Sequence, residues 1–457
     1  MNMNRRRLFA AFAGASAGAA TPAFAREPGQ TETLPRAEID AASLGVRPNA
    51  AEDQSLNFQR AIVRAAAARA VLRLAPGAYR AGSLLLPPYA MIAGTPGVTR
   101  IVMTNGQSLL SSIGCDHVSI DGLVLDGGGA PLSDGRGLVH LSQGRAVRIA
   151  NCEIIGAGRN GITLESIGGE VSGTTVTAAA DYAIFSNNAA GLRIAGNTVR
   201  GAGNGGILVW RSTPGDDGTL VSDNRIEDTA NKAGGSGQWG NAIAVFRADN
   251  VMVRGNRIRN AAFSAVRGNS SSNLQVLGNS CSGIGEVALY SEFAFQGAVI
   301  ANNVVDGAAV GVGIANFKDH GGRLAVVQGN LIRNLHAGRP GGADPNDPPA
   351  MGISTEADTA VSGNVIENVK GIGIAAGWGP SLRDVSITAN VVRDVDYGIS
   401  VSVAPEAGSV VIAENLISGA RLGAIVGMEW TKLVARNLGR EDASRYAQLS
   451  IGANLVR

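Results

Sequence analysis

The residues best equipped for chemistry cluster late in the 457-residue chain. Arg267, Tyr290, Glu292, Lys318 and His320 supply a guanidinium, a phenol, a carboxyl, an amine and an imidazole. Such a set could neutralise a substrate carboxylate, take the adjacent proton and protonate a leaving oxygen. In that scheme Arg267 neutralises or abstracts, Lys318 or His320 is the base, and Tyr290 donates. Glu292 with Glu356 offers a second chemistry, two carboxyls on either side of a glycosidic bond. Nearby groups suit a sugar chain. Trp210, Phe246, Phe317 and Trp378 could stack on it, while Arg211, Arg247, Asn269 and Glu356 could bind its oxygens. Aromatics make up only 4% of the chain, so rings gathered on one surface would be informative. The plainer alternative is a solvated sheet face with incidental rings and ion pairs.

These residues are far apart in sequence, and a repeat is what could bring them together. From about residue 118 the pattern apolar-x-apolar-x-(Gly/small)-Asn-x-apolar recurs, as in Leu192-x-Ile194-x-Gly196-Asn197-x-Val199. It returns at Asn224, Asn256, Asn279, Asn303, Asn330, Asn364, Asn390, Asn415 and Asn437, with Leu123, Cys152 and Thr174 in the Asn position of weaker early copies. A basal period of about 22 to 24 residues with insertions describes a repeat architecture. About ten residues after most Asn positions, a small residue precedes an apolar one, as in Gly206-Ile207 and Ala288-Leu289. Each repeat then holds three short strands. Asn tolerates a left-handed turn, and its amide can bond to the Asn of the next coil. Propeller blades are longer, and leucine-rich repeats need more fixed leucines. The pattern predicts an all-β, single-stranded, right-handed parallel β-helix of about thirteen or fourteen coils.

An amphipathic helix from Asp53 to about Ala70, with Asp53 as N-cap and Phe58, Ile62 and Ala65 on one face, would close the first coil. The expected divisions are a signal over 1–25, a cap over 26–82, the β-helix over 83–437 and a C-terminal cap over 438–457. Arg5-Arg6-Arg7-Leu8-Phe9, a weakly apolar run and Ala23-Phe24-Ala25 describe a twin-arginine signal cleaved after Ala25, hence a periplasmic or secreted protein. No later stretch is long and apolar enough to span a membrane. Without the three leader arginines the basic residues number 36 against 37 acidic, which argues against nucleic acid as a partner. Cys115, Cys152 and Cys281 are odd in number and match no zinc spacing, so buried thiols are expected. No metal motif is evident.

Leu44-Gly45-Val46, Asp53, Phe58-Gln59-x-Ala61-Ile62, Ala65-Ala66 and Pro76-Gly77-x-Tyr79 resemble the N-terminal cap of the pectate-lyase-like β-helix superfamily. With the twin-arginine start and the Asn turns, the chain resembles the twin-arginine-translocated repeat proteins of that superfamily. The resemblance implies a polysaccharide as partner, a substrate groove over the third strand of each coil, and calcium as a cofactor in some members. The loops 228–241 and 334–351 share one phase and should flank that groove. Three functions follow as expectations: a lyase on an acidic glycan, a non-catalytic glycan-binding or envelope scaffold protein, and an inverting glycoside hydrolase. If the apolar residue of each third strand points inward, the first and third residues after it face out. The columns so defined carry Arg267, Tyr290 and Ala315, and Trp210, Phe246, Asn269, Glu292, Phe317 and Glu356.

Overall fold

The computed structural model describes residues 37–235, 237–316, 321–338, 349–439 and 443–457. The leader 1–25, most of the second loop, and Phe317, Lys318 and His320 lie outside the described residues. The chain winds as a right-handed parallel β-solenoid of about 13 turns. Apart from Lys432–Ala435, the described strands pair in parallel with their counterparts in neighbouring coils, so three parallel sheets run along the axis. The first sheet contains Arg193–Ala195, Leu220–Ser222 and Met252–Arg254, and the second Thr198–Arg200, Arg225–Thr229 and Arg257–Ala261. The third contains Tyr182–Asn187, Val266–Asn269 and Val287–Glu292. Alternation buries every second side chain, and Ile207, Ile243, Val266, Leu289, Val312 and Ile353 stack as one inward column of the third sheet.

The bend between the first and second sheets is held by a ladder of ten asparagines, nine buried (197, 224, 256, 279, 303, 330, 364, 390 and 415) and a part-exposed last one, Asn454. Asn303 shows the unit. Its Oδ1 accepts from the backbone N–H and the side-chain amide of Asn279 at 2.9 and 3.0 Å. Its Nδ2 donates to the carbonyl of Val276 and to Asn330 Oδ1, both at 3.0 Å. Thr174 begins the column, its N–H donating to Asn197 Oδ1. The left-handed residue is the one before each Asn. Gly196, Asp223, Gly255, Gly278, Asn302, Ala389 and Glu414 all have φ between +57° and +66°. That explains the small residue in the pattern and corrects the expectation that Asn itself takes the turn.

The two ends differ from the expected boundaries. Glu38–Asp40 already pairs in parallel with Val71–Arg73, and Leu449–Gly452 with Val410–Ala413. Positions 83 and 437 therefore fall inside the stack. Asn437 is not a rung, because Lys432–Ala435 turns back antiparallel on the preceding strand, and Asn454 takes the last place. The helix spans Ser55–Ala67 and buries Phe58, Ala61, Ile62, Ala65 and Ala66 against the first coil. Its N-cap is Gln54, while Asp53 Oδ1 accepts from the Ser55 N–H at 2.8 Å. The three cysteines are free and buried, and burial pushes the Cys152 and Cys281 thiols up to about 12.

Candidate functional site

The outer face of the third sheet carries both expected columns. Pairing aligns Phe185, Leu208, Ala244, Arg267 and Tyr290 in one, and Asn187, Trp210, Phe246, Asn269 and Glu292 in the other. One coil departs. Tyr290 pairs with Gly313 and Glu292 with Ala315, so Ala315 stands in the column expected to hold Phe317. The sequence Val310-Gly311-Val312-Gly313-Ile314 keeps apolar residues inward under a two-residue slip, so parity alone cannot choose the register. Gly313 decides it by space: a Cβ there would come within 2.9 Å of the Tyr290 ring, which lies across this coil.

Arg267, Tyr290 and Glu292 do gather, but not as an open catalytic set. Arg267 Nε and Nη2 both donate to Glu292 Oε1 at 2.7 Å, and its Nη1 donates to the carbonyl of Gly237. Asn269 Nδ2 donates to the same oxygen at 2.9 Å. Glu292 is only 3% exposed. Burial, then the Glu292 carboxylate, raises the Tyr290 phenol well above its usual value, and Arg267 sits 5.7 Å from the ring centre. The Arg267 guanidinium is bonded within its own fold, tying the loop at Gly237 to the third sheet. Arg267 and Glu292, expected to act on a substrate, are here bonded to each other, to Asn269 and to the Gly237 carbonyl. Arg247 lies 4.7 Å from the Phe246 ring centre and donates to Ser212 O. Arg211 donates to the carbonyls of Ala189 and Thr213 and faces buried Asp217 at 3.9 Å.

The loop brings a residue that sequence reasoning missed. Trp239 stacks on Trp210 with ring centres 6.1 Å apart and planes at 19°. Tyr182 lies 6.0 Å from Trp239 and 6.4 Å from Trp210. Phe185 and Phe246 each meet Trp210 edge-on at 5.5 Å. All five rings are part-exposed. Strand parity could not have found Tyr182, because it stands two residues before inward Ile184 and shares that residue's parity. Nothing in the sequence places Trp239, which comes from a loop. Trp378 is exposed as expected, yet it joins a different pair, meeting exposed Trp430 at 5.6 Å.

Glu356 stands one coil beyond Ala315, 9% exposed, with the Asn316 N–H donating to its Oε2 at 3.0 Å. Burial raises its carboxyl to about 7. A cavity of about 440 Å³ opens farther toward the N-terminus on the same sheet, lined by Ser111, Asp134, Arg136, His140, Ser142 and Glu165 among others. Another of about 560 Å³ lies beside the bend from the second to the third sheet, at Thr229, Asn260, Ile284 and His336, and contains none of the expected residues. No group of three or more ligating side chains that could hold a metal occurs among the described residues. No helix among them is long and apolar enough to cross a membrane.

A family model described as right handed beta helix region matches residues 99–226. Among solved structures, the catalytic unit of an alpha-1,3-glucanase from Streptomyces thermodiastaticus is 13% identical, with a TM-score of 0.47 over 93% of this chain and 69% of that one. The surface adhesin PfbA of Streptococcus pneumoniae is 13% identical, with a TM-score of 0.44 over 87% and 94%. An N-terminal fragment of gene product 12 of bacteriophage phi29 is 14% identical, with a TM-score of 0.49 over 88% and 72%. The likeness to all three is one of fold. No curated protein matches the chain.

Proposed function

We propose that this is an exported, carbohydrate-active β-helix protein that binds a polysaccharide along the outer face of its third sheet. The observation that carries the reading is the ring cluster of Tyr182, Phe185, Trp210, Trp239 and Phe246, five part-exposed aromatics on one flank of a chain with so few. Flat apolar rings rimmed by Arg247 and Asn187 suit the alternating apolar and hydroxyl faces of a sugar. Export rests on the twin-arginine pattern that ends at Ala25. The finer form of the proposal is a lyase on an acidic, uronate-containing glycan, its base drawn from Lys318 or His320. In that form Arg267 and Glu292 hold loop to sheet rather than touch the sugar. An inverting hydrolase built on Glu292 and Glu356 is disfavoured, because Glu292 Oε1 already accepts three N–H donors in a buried site.

The test is retention of the purified protein on a panel of immobilised uronate and neutral polymers, with products followed for unsaturated ends and new reducing ends. Retention with unsaturated products supports the binding and the lyase readings together. Retention without turnover supports the binding reading and overturns the lyase. Failure to bind any polymer overturns both.

A further inference from the structure

The cavity near residue 140 holds a constellation that the polymer reading does not use. Its floor continues the outer columns of the third sheet. Ser111 pairs with His140, His140 with Thr163, and Ser142 with Glu165. Its rim is the loop that carries Asp134, Gly135 and Arg136. His140 is 7% exposed, and its Nδ1 is buried with no hydrogen-bond partner. A proton placed on Nδ1 would go unanswered, so a neutral ring keeps its single proton best on Nε2. That nitrogen faces Glu165 Oε1 across 3.8 Å. The gap is too long for a direct hydrogen bond and suits one bridging oxygen, which would accept from Nε2 and donate to the carboxylate.

The charges around the ring point to the rest of the ligand. Asp134 is held by Arg159, which also stands 4.0 Å from Asp181. Arg136 has no ion-pair partner among the described residues, although it lines the cavity with Asp134 and Glu165. Burial first, and then the Arg136 charge, holds the His140 imidazole below its usual value, with Glu165 opposing. The groups facing the ring are thus one uncommitted guanidinium, one carboxylate across the gap, the Asp134 carboxylate already engaged, and the hydroxyls of Ser111 and Ser142. Leu85 and Ile113 supply apolar wall.

We propose that this cavity is a binding site for a single carboxylate-bearing sugar unit, its carboxylate on Arg136 and one of its hydroxyls bridging His140 Nε2 and Glu165. Guanidinium and carboxylate match in charge and in the geometry of a two-point bond. The cavity, about 440 Å³, is large enough for a sugar ring, and its single uncommitted guanidinium takes one carboxylate. The cavity adjoins the aromatic cluster, since Thr163 and Glu165 pair with Phe185 and Asn187, but none of the five rings lines it, so a titration with a single sugar reads it separately from polymer binding.

The experiment is a titration of the full protein with D-glucuronate and, separately, D-glucose, followed by NMR of the histidine side chains. The His140→Gln variant identifies the His140 signals. Saturable shifts of those signals with glucuronate, at least tenfold weaker with glucose, are expected. Binding neutralises Arg136, so the midpoint of His140 titration should rise. Arg136→Ala should weaken glucuronate binding at least tenfold, and Arg136→Lys should recover part of it. Arg136 is exposed and makes no ion pair among the described residues, so its removal leaves the fold intact; an unchanged spectrum elsewhere checks this. Equal response to both sugars, no response to either, or an Arg136→Ala protein that binds as before would overturn the proposal. Trp210→Ala should leave these shifts unchanged even if it abolishes retention on polymers.

Discussion

Replacing Glu356 with Gln should stabilise the protein in mild alkali and leave it unchanged in acid. The carboxyl is 9% exposed; the Asn316 N–H is its one hydrogen bond among the described residues. Arg383 helps by charge, but its guanidinium is bonded to Asp358 at 2.7 Å. Burial therefore prevails and lifts the group from 4.5 to about 7. As the pH rises from 4.5, the unfolded chain gives up this proton while the folded chain keeps it until about 7. Across that window the folded state binds more protons, so stability falls by about 1.4 kcal/mol per pH unit, then levels off. The whole window amounts to roughly 3 kcal/mol. Gln keeps an oxygen for the Asn316 N–H and carries no charge to desolvate. Urea unfolding of both proteins should give coincident curves at about pH 4 and a variant more stable by roughly 3 kcal/mol at about pH 8.5. Curves that coincide at both values, or a variant weaker in alkali, would refute the assignment of a buried, proton-retaining carboxyl.

Asn303→Ala removes four hydrogen bonds from the buried ladder and strands the Asn279 amide and the Val276 carbonyl. It should cost about 3 kcal/mol or more in urea unfolding, and a loss under 1 would contradict the ladder's role. Arg267→Ala leaves Glu292 charged and unpaired in a buried site and should cost about 3–5 kcal/mol, partly restored by adding Glu292→Gln. If stability is unchanged and only turnover is lost, Arg267 is a catalytic group after all. Cys115, Cys152 and Cys281 are 0–1% exposed, so a thiol reagent should label none of them in the folded protein and all three in denaturant. Rapid labelling of the native protein would place a thiol at the surface.

The fold was legible because the ladder writes itself into the sequence. A side chain that must repeat identically at each turn, preceded by a residue free to adopt positive φ, leaves a period that loops of any length cannot erase. The outward columns were legible for the same reason, since strand parity carries from coil to coil. Parity failed at Gly311-Val312-Gly313, where apolar residues on both sides of a two-residue slip are equivalent. It missed His140 because the inward residue of its strand, Val139, follows Leu138 rather than the small residue that flagged the others. Trp239 was invisible because a loop has no periodicity. The commitment of Arg267 was invisible too, because pairing strands says which residues are neighbours and nothing about whether a guanidinium is already occupied by a loop carbonyl and a carboxylate.

Glycan binding by the ring cluster on the third sheet underlies the proposed function. It is tested most directly by affinity electrophoresis in gels containing uronate polymer, comparing the native protein with a Trp210→Ala, Trp239→Ala double variant of equal stability. The polymer should slow the native protein and barely affect the variant. Equal retardation of the two, or none of either, would contradict it.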